Sequence, residues 1–250
     1  MPSRKLQALL FIAIFIGVLS VWAPAALLTG LLEKTTAGKL TLAQTQGTLW
    51  RGAGVLLLRN DNQFLPLGRY TWRILPALDL SSLNVSVTSG NDAQLTQLHI
   101  FPWRNEIEIA PANAVLPAQL LAVFAPQLTA YRLSGALILA TPHFTIAPNK
   151  FIGGVTLDWQ QATSGLTDIA PLGDYRITLN GEGEQIKVAL TTQSGKLILT
   201  GAGKIQPGRA LEFGGTAKAA PNQQEALSEL LHHIGPELTP GEFTFALLTQ

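Results

Sequence analysis

The stretch Leu80-Ser81-Ser82-Leu83-Asn84-Val85-Ser86-Val87-Thr88 alternates apolar and polar residues with a period of two. Leu83, Val85 and Val87 fall on one side of an extended chain and Asn84, Ser86 and Thr88 on the other, the pattern of a strand with one dry and one wet face. Similar runs recur between Gly, Pro, Asn and Asp, as in Glu106 to Ala110 and Ile186 to Thr192. Thr191-Thr192-Gln193-Ser194-Gly195-Lys196 reads as a hairpin loop between two of them, with Gly195 free to take positive φ. From Gly38 onward the chain is therefore expected to be mainly β, a succession of antiparallel strands in sheets or a sandwich.

Two stretches break that rhythm. From Leu116, LPAQLLAVFAP places Leu116, Leu120, Leu121 and Phe124 at helical spacing, with Pro117 tolerable in a first turn and Pro126 as a stop. From Asn222, NQQEALSELLHHIGP offers Asn222 as N-cap, Glu225 at the reciprocal capping position and Leu227, Leu230, Leu231 and Ile234 as an apolar stripe. Each predicts one short helix.

A faint internal repeat relates the two halves. Gly47-Thr48-Leu49-Trp50-Arg51-Gly52-Ala53 resembles Gly154 to Ala162 around Trp159, and Pro66-Leu67-Gly68-Arg69-Tyr70 resembles Pro171-Leu172-Gly173-Asp174-Tyr175. The expected organisation is two tandem β units, 33–145 and 146–250, each with one helix. They follow a short N-terminus, 1–5, and an apolar anchor, 6–32.

The anchor is read from the run that begins at Leu6, after Arg4 and Lys5, and meets no charge until Glu33. At about 1.5 Å per residue this is long enough to cross a bilayer core of about 30 Å. The basic pair places the N-terminus in the cytoplasm and so exports the rest, with Trp22 suited to the membrane interface and Pro24 ending the straight helix. The rival reading is a cleavable signal peptide, with Ala23-Pro24-Ala25 as an A-x-A tripeptide cut before Ala26. The run exceeds a usual signal core and stays apolar through Leu27, Leu28, Leu31 and Leu32, which favours retention.

Composition narrows the function. Charged residues are 13% of the chain against 47% hydrophobic, so much of the folded surface is neutral, as suits a life beside a membrane or other proteins. A net charge of +1 with scattered Lys and Arg gives no footprint for nucleic acid. The absence of cysteine removes disulfides, thiolate metal sites and cysteine nucleophiles. His99, His143, His232 and His233 show no metal-ligand spacing, and no cofactor is implied.

Candidate chemistry is sparse. Gly52-Ala53-Gly54 and Gly201-Ala202-Gly203 lack the rest of a phosphate loop and read as turns or bulges. Ser134 and Ser194 merely precede glycines and lack a hydrolase context. Glu106 and Glu108 share a strand face, which could pair two carboxylates, but with Ile107 and Ile109 alternating inward they read as a solvated face. Adjacent on a helix, His232 and His233 point apart and read as polar surface. Trp50, Trp72, Trp103 and Trp159 read as packing anchors rather than a ligand platform. No catalytic, metal or cofactor residue is assigned, and a glycan hydrolase would need convergent carboxylates that scattered Asp and Glu do not suggest.

Taken in order, these features resemble protein N of the Gram-negative type II secretion system, the general secretion pathway. The residues that carry the resemblance are the basic N-terminus and anchor, Gly47 to Ala53, Pro66 to Tyr70, Trp72-Arg73-Ile74-Leu75-Pro76, Leu116-Pro117-Ala118, Leu133-Ser134-Gly135, Gly153 to Ala162 around Trp159, and Pro171 to Tyr175. The resemblance implies a single-pass inner-membrane accessory or assembly component with a periplasmic domain, no enzymatic activity and other secretion-apparatus proteins as partners. It transfers no site residues, and Trp50, Tyr70, Trp159 and Tyr175 are expected to determine the fold. A second reading is a periplasmic lipid-binding or lipid-transfer protein, with an acyl chain in an apolar groove along the sheet.

Overall fold

The computed structural model describes residues 11, 21–60, 63–90, 94–206 and 211–248. They fall into two compact units within the bounds Met1–Leu75 with Val85–Ala93 and Pro76–Asn84 with Gln94–Gln250. The described chain is mainly β and antiparallel, with few short helices, as the period-two runs predict.

In the first unit, helix α1 (Ala26–Thr35) precedes β1 (Leu40–Gly47), β2 (Arg51–Asn60), β3 (Gln63–Pro76) and β4 (Leu83–Ser89), which neighbour one another in sequence order. Leu40 and Leu42 of β1 stand opposite Leu58 and Leu56 of β2, so four leucines share one face. Helix α1 lies on β1, tied by Thr29 Oγ1 donating to the Leu42 carbonyl at 3.4 Å. It ends where Thr36 Oγ1 takes the Leu32 carbonyl and Gly38, at φ +76°, donates its N–H to Glu33 O.

Much of the anchor expected over 6–32 lies outside the described residues. Its described end, 21–32, is no single straight helix, because the helix is broken at Ala23 and Pro24, where Pro24 forms a β-bridge with Thr48, before α1 begins. No helix among the described residues is long and apolar enough to cross a membrane.

The second unit holds β5 (Gln94–Phe101), β6 (Glu106–Ile109), β7 (Ala112–Pro117), α2 (Leu121–Phe124), β8 (Ser134–Ala147), β9 (Lys150–Thr163), β10 (Gly173–Gly183), β11 (Gln185–Gly195), β12 (Leu197–Ile205), β13 (Glu212–Ala219), α3 (Gln224–Ile234), β14 (Glu237–Thr239) and β15 (Glu242–Leu248). Its sheet runs β5-β6-β8-β9-β10-β11-β12-β13-β15-β14, with β7 also beside β8. Sequence neighbours are mostly spatial neighbours, which keeps the connections short.

Several local expectations are corrected. The helix expected from Leu116 begins two residues later, since Pro117 is extended (φ −73°, ψ 139°) and belongs to β7; a 3-10 turn then leads into the four-residue α2. Asn222 is not the N-cap of α3. It sits at φ +64°, Gln223 occupies the cap without a side-chain hydrogen bond, and Leu227, Leu230 and Leu231 are buried as the stripe requires. The expected loop Thr191–Lys196 largely continues β11, where Thr192, Ser194 and Gly195 pair with Tyr175, Asp174 and Gly173 of β10. Gly195 does take positive φ (+135°), and a Cβ there would meet the Leu172 carbonyl at 2.5 Å.

Neither Gly-Ala-Gly stretch is a turn: Gly52 and Gly54 lie within β2, and Gly201 and Gly203 within β12. Rings lie over three of them, Gly52, Gly201 and Gly203, whereas Gly54 faces Thr45, Ala43 and Leu42. A Cβ on Gly52 would stand 2.5 Å from Trp72 Cζ2, and one on Gly201 would stand 2.6 Å from Phe213 Cζ. Gly135, at φ +117°, makes the same room for the indole of Trp159, 2.8 Å from its Nε1.

Replacing Trp159 by Ala in the full chain should cost about 3–5 kcal/mol of unfolding free energy. Gly135→Ala should cost about 1–3 kcal/mol through strain and the displaced ring. Denaturant titration followed by tryptophan fluorescence checks both, and a Gly135→Ala protein as stable as the parent would contradict the ring-on-glycine account.

Candidate binding face

Strand register sorts the residues of the second unit onto two unlike faces. Leu137 of β8, Trp159 of β9 and Tyr175 of β10 stand in one cross-strand row. Leu139, Leu157, Ile177 and Leu190 form the next, and Val155, Leu179, Val188 and Gly203 the one after. Ile107 and Ile109 of β6 continue this face opposite Ile146 and Phe144 of β8. Since side chains alternate along each strand, the opposite face carries Thr156, Asp158, Arg176, Thr178, Lys187, Lys204 and Glu212. One side of the sheet is dry and the other mixed, since Ile138 stands opposite Asp158 and Ile198 opposite Lys218 there.

Two pieces of chain cover the end of the dry face that carries Trp159, Tyr175 and Leu172. Ala118, in the turn before α2, packs with Leu137, Trp159, Tyr175 and Phe213, with Leu116 and Leu121 against them. Helix α3 lays Leu227, Leu230 and Leu231 on Leu172, Leu197, Ala217 and Phe243. Beyond them along the strands Val155, Leu157, Ile177, Leu179 and Val188 are half-buried, with Ile177 and Val188 packed against the core. Strand period alone finds these residues; which of them stay uncovered depends on where the helices land.

Most polar side chains near this face are hydrogen-bonded; Gln119 Oε1, buried in the turn before α2, has no partner among the described residues. Trp159 Nε1 donates to Ser134 O at 3.0 Å, Tyr175 OH to Leu197 O at 2.9 Å and Thr141 Oγ1 to Gly154 O at 2.9 Å. Burial, helped by the nearby Asp174 carboxylate, pushes the Tyr175 hydroxyl far above its ordinary value, so it stays a neutral donor. Trp159 and Tyr175 pack with ring centroids 5.4 Å apart. The face can offer dispersion contact and apolar burial but few hydrogen bonds, and so fits an apolar partner.

The candidate chemical residues do not converge. Arg104 pairs with Glu106 at 3.8 Å, while Glu108 stands opposite His99 and Thr145. His232 and His233 each turn Nδ1 to the carbonyl four residues earlier on their own helix, Ser228 at 2.7 Å and Glu229 at 2.9 Å, and His232 edges onto Phe243. Ser134 Oγ accepts from Gln119 Nε2 at 3.4 Å, and Ser194 Oγ donates to Asp174 at 3.0 Å. Among the described residues no group of three or more His, Asp or Glu is placed to hold a metal ion. Trp72 and Trp159 are buried packing anchors, Trp50 is half-buried, and Trp103 is corrected: it is 85% exposed, with its Nε1 3.4 Å from the Leu80 carbonyl.

Sequence pairs Trp50 with Trp159, but the structure gives the matching role to Trp72. Its Nε1 donates to Leu49 O at 3.1 Å and its ring covers Gly52. The Pro-Leu-Gly-x-Tyr match does have a local counterpart in each unit. Leu67 and Leu172 are both buried, and a Cβ on Gly68 or Gly173 would meet the tyrosine two residues on, Tyr70 at 3.6 Å or Tyr175 at 3.1 Å.

An amphipathic antiparallel sheet with few short helices defines the class of a mainly β protein. The family model described as "Type II secretion system (T2SS), protein N" matches residues 38–246, and the chain belongs to that family. The chain is 30% identical over 230 residues to the "Type II secretion system protein N" of Klebsiella pneumoniae, covering 86% of this chain and 84% of that one. No solved structure matches it.

On the polar face Arg176 donates through Nε to Asp158 Oδ1 at 2.6 Å and through Nη2 to Oδ2 at 2.9 Å. These hydrogen bonds hold the Asp158 carboxyl below its ordinary value. An unfolded Asp titrates near 4, roughly. The pair therefore stabilises the fold above that pH, and the contribution fades as pH falls through the lower folded value. Acid unfolding curves should show a shallower fall below about pH 4 for Asp158→Asn than for the parent, by a small margin because the pair is partly exposed.

Proposed function

We propose that this chain is a non-enzymatic accessory or assembly component of the type II secretion apparatus. The apolar run within 6–32 holds it in the bacterial inner membrane by a single pass, and its β units stand in the periplasm. It acts there through contacts with other apparatus proteins in the export of folded proteins across the outer membrane. Membership of the protein N family over most of the chain carries this reading. The charge-free run after Arg4 and Lys5 supports the membrane placement.

Retention of the run, rather than cleavage, is supported by the fate of Ala23-Pro24-Ala25. Leu49 N–H donates to Ala23 O at 2.8 Å, Ala25 N–H donates to Gly47 O at 3.3 Å, and Pro24 bridges Thr48. Ala23 and Ala25 are buried, Ala25 to 3% exposure. A peptidase cutting before Ala26 would remove residues that the first unit uses. The tandem division 33–145 and 146–250 is proposed as the trace of a duplication, supported by the like geometry of Pro66 to Tyr70 and Pro171 to Tyr175.

One observation favours a second reading. The half-buried rows of Val155, Leu157, Ile177, Leu179 and Val188 are apolar without interruption, which suits an acyl chain. Both readings meet in one experiment on a host strain that lacks this chain. Exoprotein stranded in the periplasm behind an outer membrane that still excludes a large hydrophobic dye supports the secretion role; normal secretion with a dye-permeable envelope sinks it in favour of lipid handling.

A further inference from the structure

Helix α1 has two apolar sides, and only one is occupied. Leu28 and Leu32, four residues apart, are half-buried on the side that meets β1, while Leu27 and Leu31 point away at 55% and 56% exposure. Gly30 and Ala26 continue this outer side, and immediately upstream Val21 and Trp22 are 64% and 75% exposed. No charged residue interrupts the outer surface until Glu33 and Lys34, both exposed, at the far end of the helix. Large apolar side chains displayed together in this way mark a contact surface.

What covers them follows from what precedes them. Residues 6–20 are apolar or neutral throughout, so the outer face of α1 continues the run that the proposed function places in the bilayer. The clasp at Ala23–Ala25 fixes the start of α1 to the first unit through hydrogen bonds with Leu49 and Gly47. We infer that α1 is an interfacial helix: its outer side, with Val21 and Trp22, lies in the headgroup layer of the membrane, and its inner side carries the first β unit. An amphipathic helix beside a membrane crossing buries its apolar side at the boundary between headgroups and acyl chains, and Trp is at home at that depth. The first β unit is thereby seated on the lipid surface instead of swinging on a free linker.

This inference rests on the retained anchor, and the test separates the two. The chain has no cysteine, so single substitutions Leu27→Cys, Leu31→Cys and, as a water-exposed reference on α3, Glu225→Cys accept one environment-sensitive nitrobenzoxadiazole label each. Each labelled full-length protein is placed in vesicles of phosphatidylethanolamine and phosphatidylglycerol. The expected result is blue-shifted emission at positions 27 and 31, quenching there by lipids spin-labelled near the headgroup and loss of quenching by aqueous iodide, with the reverse at 225. Iodide quenching at 27 and 31 equal to that at 225, in protein that survives an alkaline carbonate wash, overturns the surface contact and leaves the anchor standing. Protection from iodide without lipid quenching overturns it in favour of a protein contact. Release of the protein by carbonate overturns the anchor and the inference together.

Discussion

A ring laid over a glycine on the same or the neighbouring strand is the contact on which the rest of this protein depends. Trp72 covers Gly52, Trp159 covers Gly135, Phe213 covers Gly201 and Gly203, and Phe245 covers Gly215. Glycine in a strand interior weakens it by conformational entropy and by the lack of a packing side chain. Here the missing Cβ is the space the ring fills, so each glycine and its aromatic partner form one packing unit. With no cysteine to cross-link the sheet, such packing, with the hydrogen-bond ladder, must hold it.

The same device gives the second unit its asymmetry. Rings, leucines and isoleucines collect on one side, whereas Asp158, Arg176, Lys204 and Glu212 pair across the other. Partly exposed ion pairs of this sort add little stability and mainly keep that side wet. The dry side needs a cover, and the chain supplies two small ones, the α2 region and α3. Beyond their reach the rows of Val155, Leu157, Ile177, Leu179 and Val188 stay half-buried.

Family membership and geometry bear on different questions. The match over residues 38–246 and the Klebsiella pneumoniae relative tie the chain to type II secretion. The geometry shows a half-buried apolar face in the second unit and exposed leucines, Leu27 and Leu31, on the outer side of α1. Trp159, Tyr175 and Thr141, beside the dry face, spend their polar atoms on backbone carbonyls.

Much was legible in the residues themselves. Strand period predicted β4, β6 and β11, the leucine stripe placed α3, and the ordered motifs pointed to the family, because alternation and helical spacing are local properties of a chain. The Gly-Ala-Gly stretches, the apparent loop at Thr191–Lys196 and the partner of Trp159 were misread for one shared reason. A glycine looks like a turn in sequence, and only the neighbouring strand shows whether a ring or a backbone is lying over it. Trp103, an apparent core anchor, is exposed because its 3-10 turn faces outward, which composition cannot reveal. By itself the sequence determined β-rich alternation, the charge-free leader and the family. Tertiary structure alone decided which glycines are seats for rings, which apolar rows stay uncovered and that Ala23–Ala25 is clasped into the first unit, since each depends on strands far apart in the chain meeting at a particular register.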